Sequence, residues 1–118
     1  MTVCILGNSL TALTLAKTLV NQKISVDLFF NKKNYKIDKS RTIGITKNNI
    51  NFFNNNIINI EKIIWKLKRI EIFSDNFKKD RLINFKANKD YLFSILKNNK
   101  LYQLLEQDLS KNKLYNSK

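Results

Sequence analysis

The residues best suited to chemistry lie near the start of the chain, where a glycine separates an apolar run from a segment with helical periodicity. Within residues 3–12 the small residues are Gly7, Ser9 and Ala12. A glycine after a buried strand permits a tight turn, and the N-terminus of the next helix presents backbone N–H groups to an anion. This spacing predicts a site for the pyrophosphate of a dinucleotide. The residues assigned to it are Gly7, Asn8, Ser9, Leu10, Thr11 and Ala12.

Two positions depart from the dinucleotide-binding pattern. Ser9 stands where a second glycine would let the backbone approach the pyrophosphate, although its hydroxyl can donate to a phosphate oxygen. The acidic residue expected at the end of the second strand, where it would hold the ribose, is replaced by Phe30 and Asn31. Asn31 is therefore the candidate ribose contact, through a weaker hydrogen bond than a carboxylate makes. Asp27 falls inside the predicted strand and is badly placed for that role.

Two strands and a helix must position this turn. Thr2–Leu6 is a continuous apolar run, which predicts a strand buried on both faces with Cys4 as a core thiol. From Ser9 the apolar residues follow helical spacing to about residues 21–23. Residues 24–30 are rich in β-branched and aromatic side chains, and one helix separates them from the first strand. The predicted fold class is α/β, with a Rossmann-like βαβ core of parallel strands over residues 1–31.

The remaining residues predict a short additional β-region and a C-terminal helix within the same partial domain, residues 41–110. The predicted elements are a loop at 31–40, an alternating segment at 41–46, a short helix at 48–56, an apolar stretch at 57–67 that is helical or irregular, hairpin strands at 68–74 and 81–86, and a strand at 91–96. Asn98 is the predicted cap of the last helix, and the tail from Ser110 is expected to fray. Trp65, Phe52 and Phe53 are interpreted as core residues.

The composition indicates one globular domain with a basic surface. The chain has 118 residues, of which 43% are hydrophobic. Its net charge of +13 comes from 22 Lys and Arg against 9 Asp and Glu. Because these cations are scattered along the chain, a solvated surface is favoured over a specific nucleic-acid interface.

The same composition excludes some kinds of site. With no histidine and one cysteine, a Cys/His metal centre and a histidine-activated thiol are both excluded. No apolar run approaches the roughly 20 residues that span a bilayer, and no secretion signal is evident. We therefore expect a cytoplasmic protein with at most peripheral membrane association.

The sequence resembles a known family. Its opening is similar to the N-terminus of the FAD-dependent aromatic-ring hydroxylases, especially those of ubiquinone biosynthesis. Residues 38–46, with Arg41 before an apolar stretch of small residues, are similar to a segment of that family. Further along, the shared order is a short helix ending near Phe53, a tryptophan at Trp65, a strand at 70–75, and Asn98 followed by a leucine-rich helix. The resemblance runs over most of the chain.

The resemblance implies that FAD binds with its pyrophosphate over residues 7–12 and that Arg41 lies near the cofactor. Complete members use NAD(P)H and oxygen to hydroxylate a polyprenylated ring, and they carry a second flavin-contacting Gly-Asp motif further downstream. This chain ends before that motif, and it shows no cluster of acid–base residues. We therefore expect an incomplete enzyme without catalytic residues of its own, either a truncated product or one piece of a split enzyme completed by a separate chain.

Two other hypotheses stay open. The chain could be a non-catalytic interaction or regulatory module that kept the βαβ core without the cofactor, which Ser9 and the missing ribose acid both favour. It could also be a small basic nucleic-acid binder, which net charge alone supports. Arg41 is equally well explained as one more surface cation. The assigned strands are also expected to leave an unpaired edge and an exposed apolar face, which favours association.

Overall fold

The computed structural model describes residues 1–31, 38–75, 80–86, 91 and 93–118 and shows a mixed α/β fold. Its elements in chain order are β1 (Thr2–Leu6), α1 (Leu10–Asn21), β2 (Ser25–Phe29), β3 (Thr42–Thr46), α2 (Lys47–Asn56), a 3-10 helix (Glu61–Ile63), β4 (Ile64–Leu67), β5 (Arg69–Phe73), β6 (Arg81–Lys86), β7 (Phe93–Lys97), α3 (Asn98–Ser110) and β8 (Tyr115–Ser117). The predicted α/β class is thereby confirmed as a mixed α/β fold.

The first sheet is parallel and has the strand order β1-β2-β8. β1 pairs with β2 along its whole length, with α1 between them in the chain, as the sequence predicts. β8 adds to the other edge of β2, where the Val26 N–H donates to the Leu114 carbonyl and the Lys118 N–H to the Leu28 carbonyl, both at 2.8 Å. The expectation that the chain frays from Ser110 is therefore wrong, because the open edge of β2 offers backbone partners to the tail.

This sheet is buried on one face. Val26 and Leu28 are fully buried and Ile5 is 8% exposed, whereas Leu6 is 82% exposed and Cys4 is also exposed. Side chains alternate between the two faces of a strand, and the described helices cover the face that carries Ile5, Val26 and Leu28. The predictions of a first strand buried on both faces and of a buried Cys4 thiol are therefore wrong.

Helices α1 and α3 form the layer that covers the buried face. The buried side chains of α1 are Ala12, Leu13, Ala16 and Val20, and those of α3 include Leu101, Leu105 and Leu109. An ion pair between Lys17 and Asp108 joins the two helices. The helical spacing of both apolar sides agrees with the sequence pattern, and the small Ala16 is fully buried where the helix packs.

A second sheet is antiparallel and has the order β3-β7-β4, while β5 and β6 form a separate hairpin. The central strand β7 buries Ser94 and Leu96 on the side that faces the core. Gly44 of β3 lies opposite Ile95, and a Cβ at Gly44 would meet the Phe93 ring at 3.3 Å. Because β7 leads directly into α3, this sheet and the parallel sheet share one buried cluster.

Some predictions for the middle of the chain are corrected. The stretch at 57–67 contains the 3-10 helix and β4, and Trp65 of β4 is 53% exposed because it lies opposite Ile95, away from the core. Phe52 is 54% exposed on α2, so it is not a core residue. The N-cap of α3 is Lys97 without a side-chain hydrogen bond, and Asn98 is already the first helical residue.

Replacing Leu105 with alanine should lower the free energy of unfolding by about 2–5 kcal/mol, since its loss leaves a cavity in the core. Leu105 is fully buried, whereas Leu82 on β6 is 64% exposed. The control variant Leu82→Ala should therefore change stability by no more than about 0.5 kcal/mol. Urea unfolding followed by circular dichroism measures both. Equal losses for the two variants would contradict the assigned core.

Candidate functional site

The turn between β1 and α1 depends on Gly7. This residue has a φ of +104°, which L side chains rarely adopt, and nothing lies within 4 Å of the position that a Cβ would take. Its N–H donates to the Phe29 carbonyl at 2.7 Å and so extends the pairing of β1 with β2 into the turn. Gly7 therefore allows the turn and leaves open space beside it. Its own N–H is already used in a hydrogen bond of the sheet.

Ser9 caps the N-terminus of α1. Its backbone is extended, with φ −64° and ψ 165°, and its Oγ accepts a hydrogen bond from the Ala12 N–H at 3.2 Å. The Ala12 N–H is thus satisfied by the cap, but the hydroxyl hydrogen of Ser9 can still be donated to a ligand. The N–H groups of Leu10 and Thr11 lie in the first helical turn, where no intrahelical acceptor exists.

Asn8 adds a buried amide to this turn. Its Nδ2 atom is buried without a hydrogen-bond partner among the described residues. Leaving a buried donor unpaired costs about 1–3 kcal/mol, which an external acceptor would offset. The first turn of α1 also carries no acidic side chain. The turn therefore combines unpaired donors with the positive end of a helix dipole, an arrangement that fits a diphosphate.

The end of β2 carries the candidate ribose contact. Asn31 is exposed and follows β2 by two residues. Asp27 lies in the middle of β2, where its carboxylate accepts from the Asn116 Nδ2 at 3.2 Å and lies 3.8 Å from the Lys118 Nζ. Asp27 thus joins β2 to β8, in agreement with the interpretation that it is badly placed to hold a ribose.

Arg41 lies immediately before β3 and beside the start of α3. Its carbonyl accepts from the Asn98 N–H at 3.0 Å, and within the described residues no hydrogen bond or ion pair joins its exposed side chain to residues 7–12. The preceding turn is held by the Asp38 Oδ1, which accepts from the Ser40 N–H at 2.8 Å and from the Ser40 hydroxyl at 2.6 Å. These hydrogen bonds, with a smaller contribution from the Arg41 charge, lower the pKa of Asp38.

An open apolar cavity of about 450 Å³ lies next to the first turn of α1, and sequence reasoning did not find it. Leu10 and Thr11 line it together with Leu15 of the same helix, and α2 and β3 contribute Phe52 and Ile43. The sequence feature that could have indicated this cavity is the pair Leu10 and Leu15. Both lie outside the face of α1 that packs on the sheet. Two predicted site residues therefore border an apolar surface as well as the turn.

The described residues contain neither a cluster suited to a metal ion nor a membrane-spanning helix. Its Cys, Asp and Glu side chains form no group of three or more that could hold a metal ion. Among the described helices none is long and apolar enough to cross a membrane.

Solved structures of a hydroxylase, a monooxygenase and an FAD complex share this fold. The 2,6-dihydroxypyridine-3-hydroxylase from Arthrobacter nicotinovorans matches with a TM-score of 0.70 and 16% identity, over 98% of this chain and 28% of its own. The p-nitrophenol 4-monooxygenase PnpA from Pseudomonas putida matches with 0.75 and 9%, over 99% of this chain and 32% of its own. HpxO from Klebsiella pneumoniae, complexed with FAD and uric acid, matches with 0.71 and 14%, over 99% and 30%.

The chain therefore has the fold of one part of these enzymes and spans at most 32% of their length. Identities of 9–16% establish a shared fold alone. The sequence matches no protein-family model, and no curated protein matches it. The likeness supports the resemblance to hydroxylases at the level of fold, and it does not distinguish the members of ubiquinone biosynthesis.

Proposed function

We propose that this chain binds FAD as the N-terminal portion of a flavin-dependent monooxygenase of the ubiquinone-biosynthesis ring-hydroxylase type, and that it is not catalytic alone. The observation that carries the proposal is the β1–α1 turn, where open space at Gly7, the unpaired amide of Asn8 and the start of α1 meet. A second support is the fold, which the FAD complex of HpxO shares over 99% of this chain.

In this proposal β1, α1 and β2 form a Rossmann-like unit that holds the ADP half of FAD. The N–H groups of Leu10 and Thr11, the Ser9 hydroxyl and the Asn8 amide donate to the diphosphate. Gly7 and Ala12 contribute differently, because their N–H groups are bonded to the Phe29 carbonyl and the Ser9 Oγ. Gly7 keeps the turn open, and Ala12 is a small residue that is 8% exposed where the helix packs.

Two contacts lie outside the turn. Asn31 donates to or accepts from a ribose hydroxyl at the end of β2, and Arg41 contributes positive charge near the cofactor from its place before β3. The Arg41 carbonyl accepts from the N–H of Asn98, the first residue of α3, which fixes the Arg41 backbone at that place. Neither residue acts on a substrate, so we assign no catalytic residue to this chain.

The redox chemistry belongs to FAD itself, with NAD(P)H as co-substrate in the complete enzyme. The contribution of this chain is to bind and orient the nucleotide half of that cofactor. Its matches extend over 98–99% of this chain but 28–32% of the compared enzymes, so the substrate-binding part would come from a separate chain or a longer product. We place this protein in the cytoplasm, with no specific nucleic-acid partner and at most peripheral contact with membranes.

The alternative is an interaction or regulatory module with the same βαβ core and no cofactor. The observation in its favour is that the Gly7 and Ala12 N–H groups are already bonded within the fold. The end of β2 also lacks a carboxylate, since Phe30 and Asn31 occupy that place. FAD titration of the folded chain separates these two functions.

Ser9→Asp should lower the affinity for FAD at least about tenfold, because a carboxylate at the turn repels the diphosphate. Aspartate is itself a good N-cap and interacts favourably with the helix dipole, so stability should not fall. Thr46→Asp is the matched control, since Thr46 caps α2 and its hydroxyl oxygen accepts from the Asn49 N–H at 3.3 Å. Isothermal titration calorimetry measures FAD binding, and thermal unfolding checks stability.

Two results would contradict the proposal in different ways. Equal FAD affinities of Ser9→Asp and Thr46→Asp would show that the diphosphate is not held at the β1–α1 turn. A wild-type chain that is folded but indifferent to FAD would remove cofactor binding altogether and favour the interaction module.

Asn31→Glu should tighten FAD binding about fivefold, because a carboxylate accepts stronger hydrogen bonds from ribose hydroxyls than an amide does. Asn31→Gln is the matched control, since it has the same length without the charge and should not tighten binding. The same calorimetric titration applies. Weaker binding by Asn31→Glu than by Asn31→Gln would exclude Asn31 from the ribose site.

A further inference from the structure

A second cavity, of about 340 Å³, opens between β4 and the N-terminal end of α3. Its lining consists of Lys62, Ile63, Ile64, Trp65, Lys97 and Lys100. None of these residues belongs to the β1–α1 turn or to the other contacts assigned to FAD. The cavity brings together lysines from distant parts of the sequence and the single tryptophan of the chain.

The pairing of β4 with β7 explains how two of these residues meet. Trp65 lies opposite Ile95, and Lys97 follows Ile95 by two residues, so Trp65 and Lys97 share a face of the sheet. The intervening Leu96 is 1% exposed and belongs to the core side. The Lys97 Nζ lies 6.0 Å from the centroid of the Trp65 ring. Since β7 continues into α3, the first turn of that helix brings Lys100 to the same place.

The lysines of this cavity form no ion pair within the described residues. The nearby carboxylate of Glu61 is paired instead with Lys66, at 3.5 Å between Oε2 and Nζ. The start of α3 adds to the positive potential, because its N-cap Lys97 makes no side-chain hydrogen bond to the first turn. Like charges gathered around one concave surface repel each other, and a bound anion would offset that repulsion.

The apolar part of the cavity has a planar wall. Trp65 is 53% exposed, and Ile63 and Ile64 beside it are half-buried. A large indole left open at the mouth of a cavity offers a surface on which a flat ring can stack. Apolar walls with a few convergent charges are typical of sites for small ligands. The cavity thus suits a ligand that has both a planar ring and an anionic group.

We propose that this cavity binds a small phosphorylated ring compound of the nucleotide type. Its phosphate lies among Lys62, Lys97 and Lys100, and its ring contacts Trp65. This site is separate from the proposed FAD site and does not depend on it. Inorganic phosphate would meet the lysines alone and would leave the planar wall unused.

The single tryptophan makes the site directly observable. ADP added to the full chain should change the Trp65 fluorescence saturably, whereas adenosine, which lacks the phosphates, should not. By calorimetry on the Ser9→Asp variant, whose β1–α1 turn repels a diphosphate, inorganic pyrophosphate should bind at least about fivefold more weakly than ADP, because it cannot stack. The Ser9→Asp variant should give the same Trp65 response to ADP as the wild type, since the β1–α1 turn is not part of this cavity.

Lys62→Gln and Lys100→Gln should each weaken the ADP affinity measured from Trp65 fluorescence about fivefold, through the loss of a charged contact to phosphate. Lys111→Gln is the matched control, because Lys111 is the C-cap at the opposite end of α3 and is absent from the cavity lining. Circular dichroism verifies that the three variants keep the fold.

The proposal is overturned if ADP produces no saturable change in Trp65 fluorescence. It is also overturned if Lys100→Gln and Lys111→Gln weaken binding equally, which would indicate a general effect of net charge, or if Ser9→Asp abolishes the response. Equal affinities for pyrophosphate and ADP would remove the role of Trp65. The Ser9→Asp variant separates the two proposals, because it should weaken FAD binding at the β1–α1 turn and leave the Trp65 response to ADP unchanged.

Discussion

The hydrogen bond from the Gly7 N–H to the Phe29 carbonyl, 2.7 Å long, ties the end of β1 to the end of β2 at the point where the chain leaves the sheet. The positive φ of Gly7 then directs the chain towards α1, and the Ser9 cap satisfies the Ala12 N–H. The fold thus uses the amides at the two ends of the turn. The donors between them, from Asn8 to Thr11, have no partner in secondary structure, and for this reason we propose the turn as the place where an anion binds.

Helix α1 contributes side chains to two apolar surfaces. One side, which includes Leu13 and Ala16, closes the buried face of the parallel sheet. The other side, with Leu10 and Leu15, lines the cavity of about 450 Å³ that α2 and β3 complete. In the described sheet β1 has a neighbour on one side, and Leu6 at its end is 82% exposed. The unpaired edge expected from the sequence is therefore present in the described sheet, and Leu6 and the open cavity leave apolar surface exposed.

Local patterns in the sequence correctly predicted the helices and strands whose formation depends on neighbouring residues. The change from an apolar run to helical spacing at Gly7 identified the β1–α1–β2 unit, and alternation identified the β5–β6 hairpin. Burial was predicted poorly because it depends on which face the helices cover, so Cys4 and Trp65 are exposed although both lie in apolar stretches. The pairing of β8 with β2 was also missed, since a short polar tail carries no signal of a partner so distant in the sequence. For the candidate site, the sequence indicated the turn, but not which of its amides the fold already uses.

Amide NMR of the labelled chain during titration with FAD shows whether the unpaired donors of the β1–α1 turn bind a diphosphate. We expect saturable downfield shifts of the backbone amide protons of Leu10 and Thr11 and of the side-chain amide of Asn8, as new hydrogen bonds form. Unchanged signals from these three residues at saturating FAD, or shifts confined to the lysine cavity around Trp65, would contradict diphosphate binding at this turn.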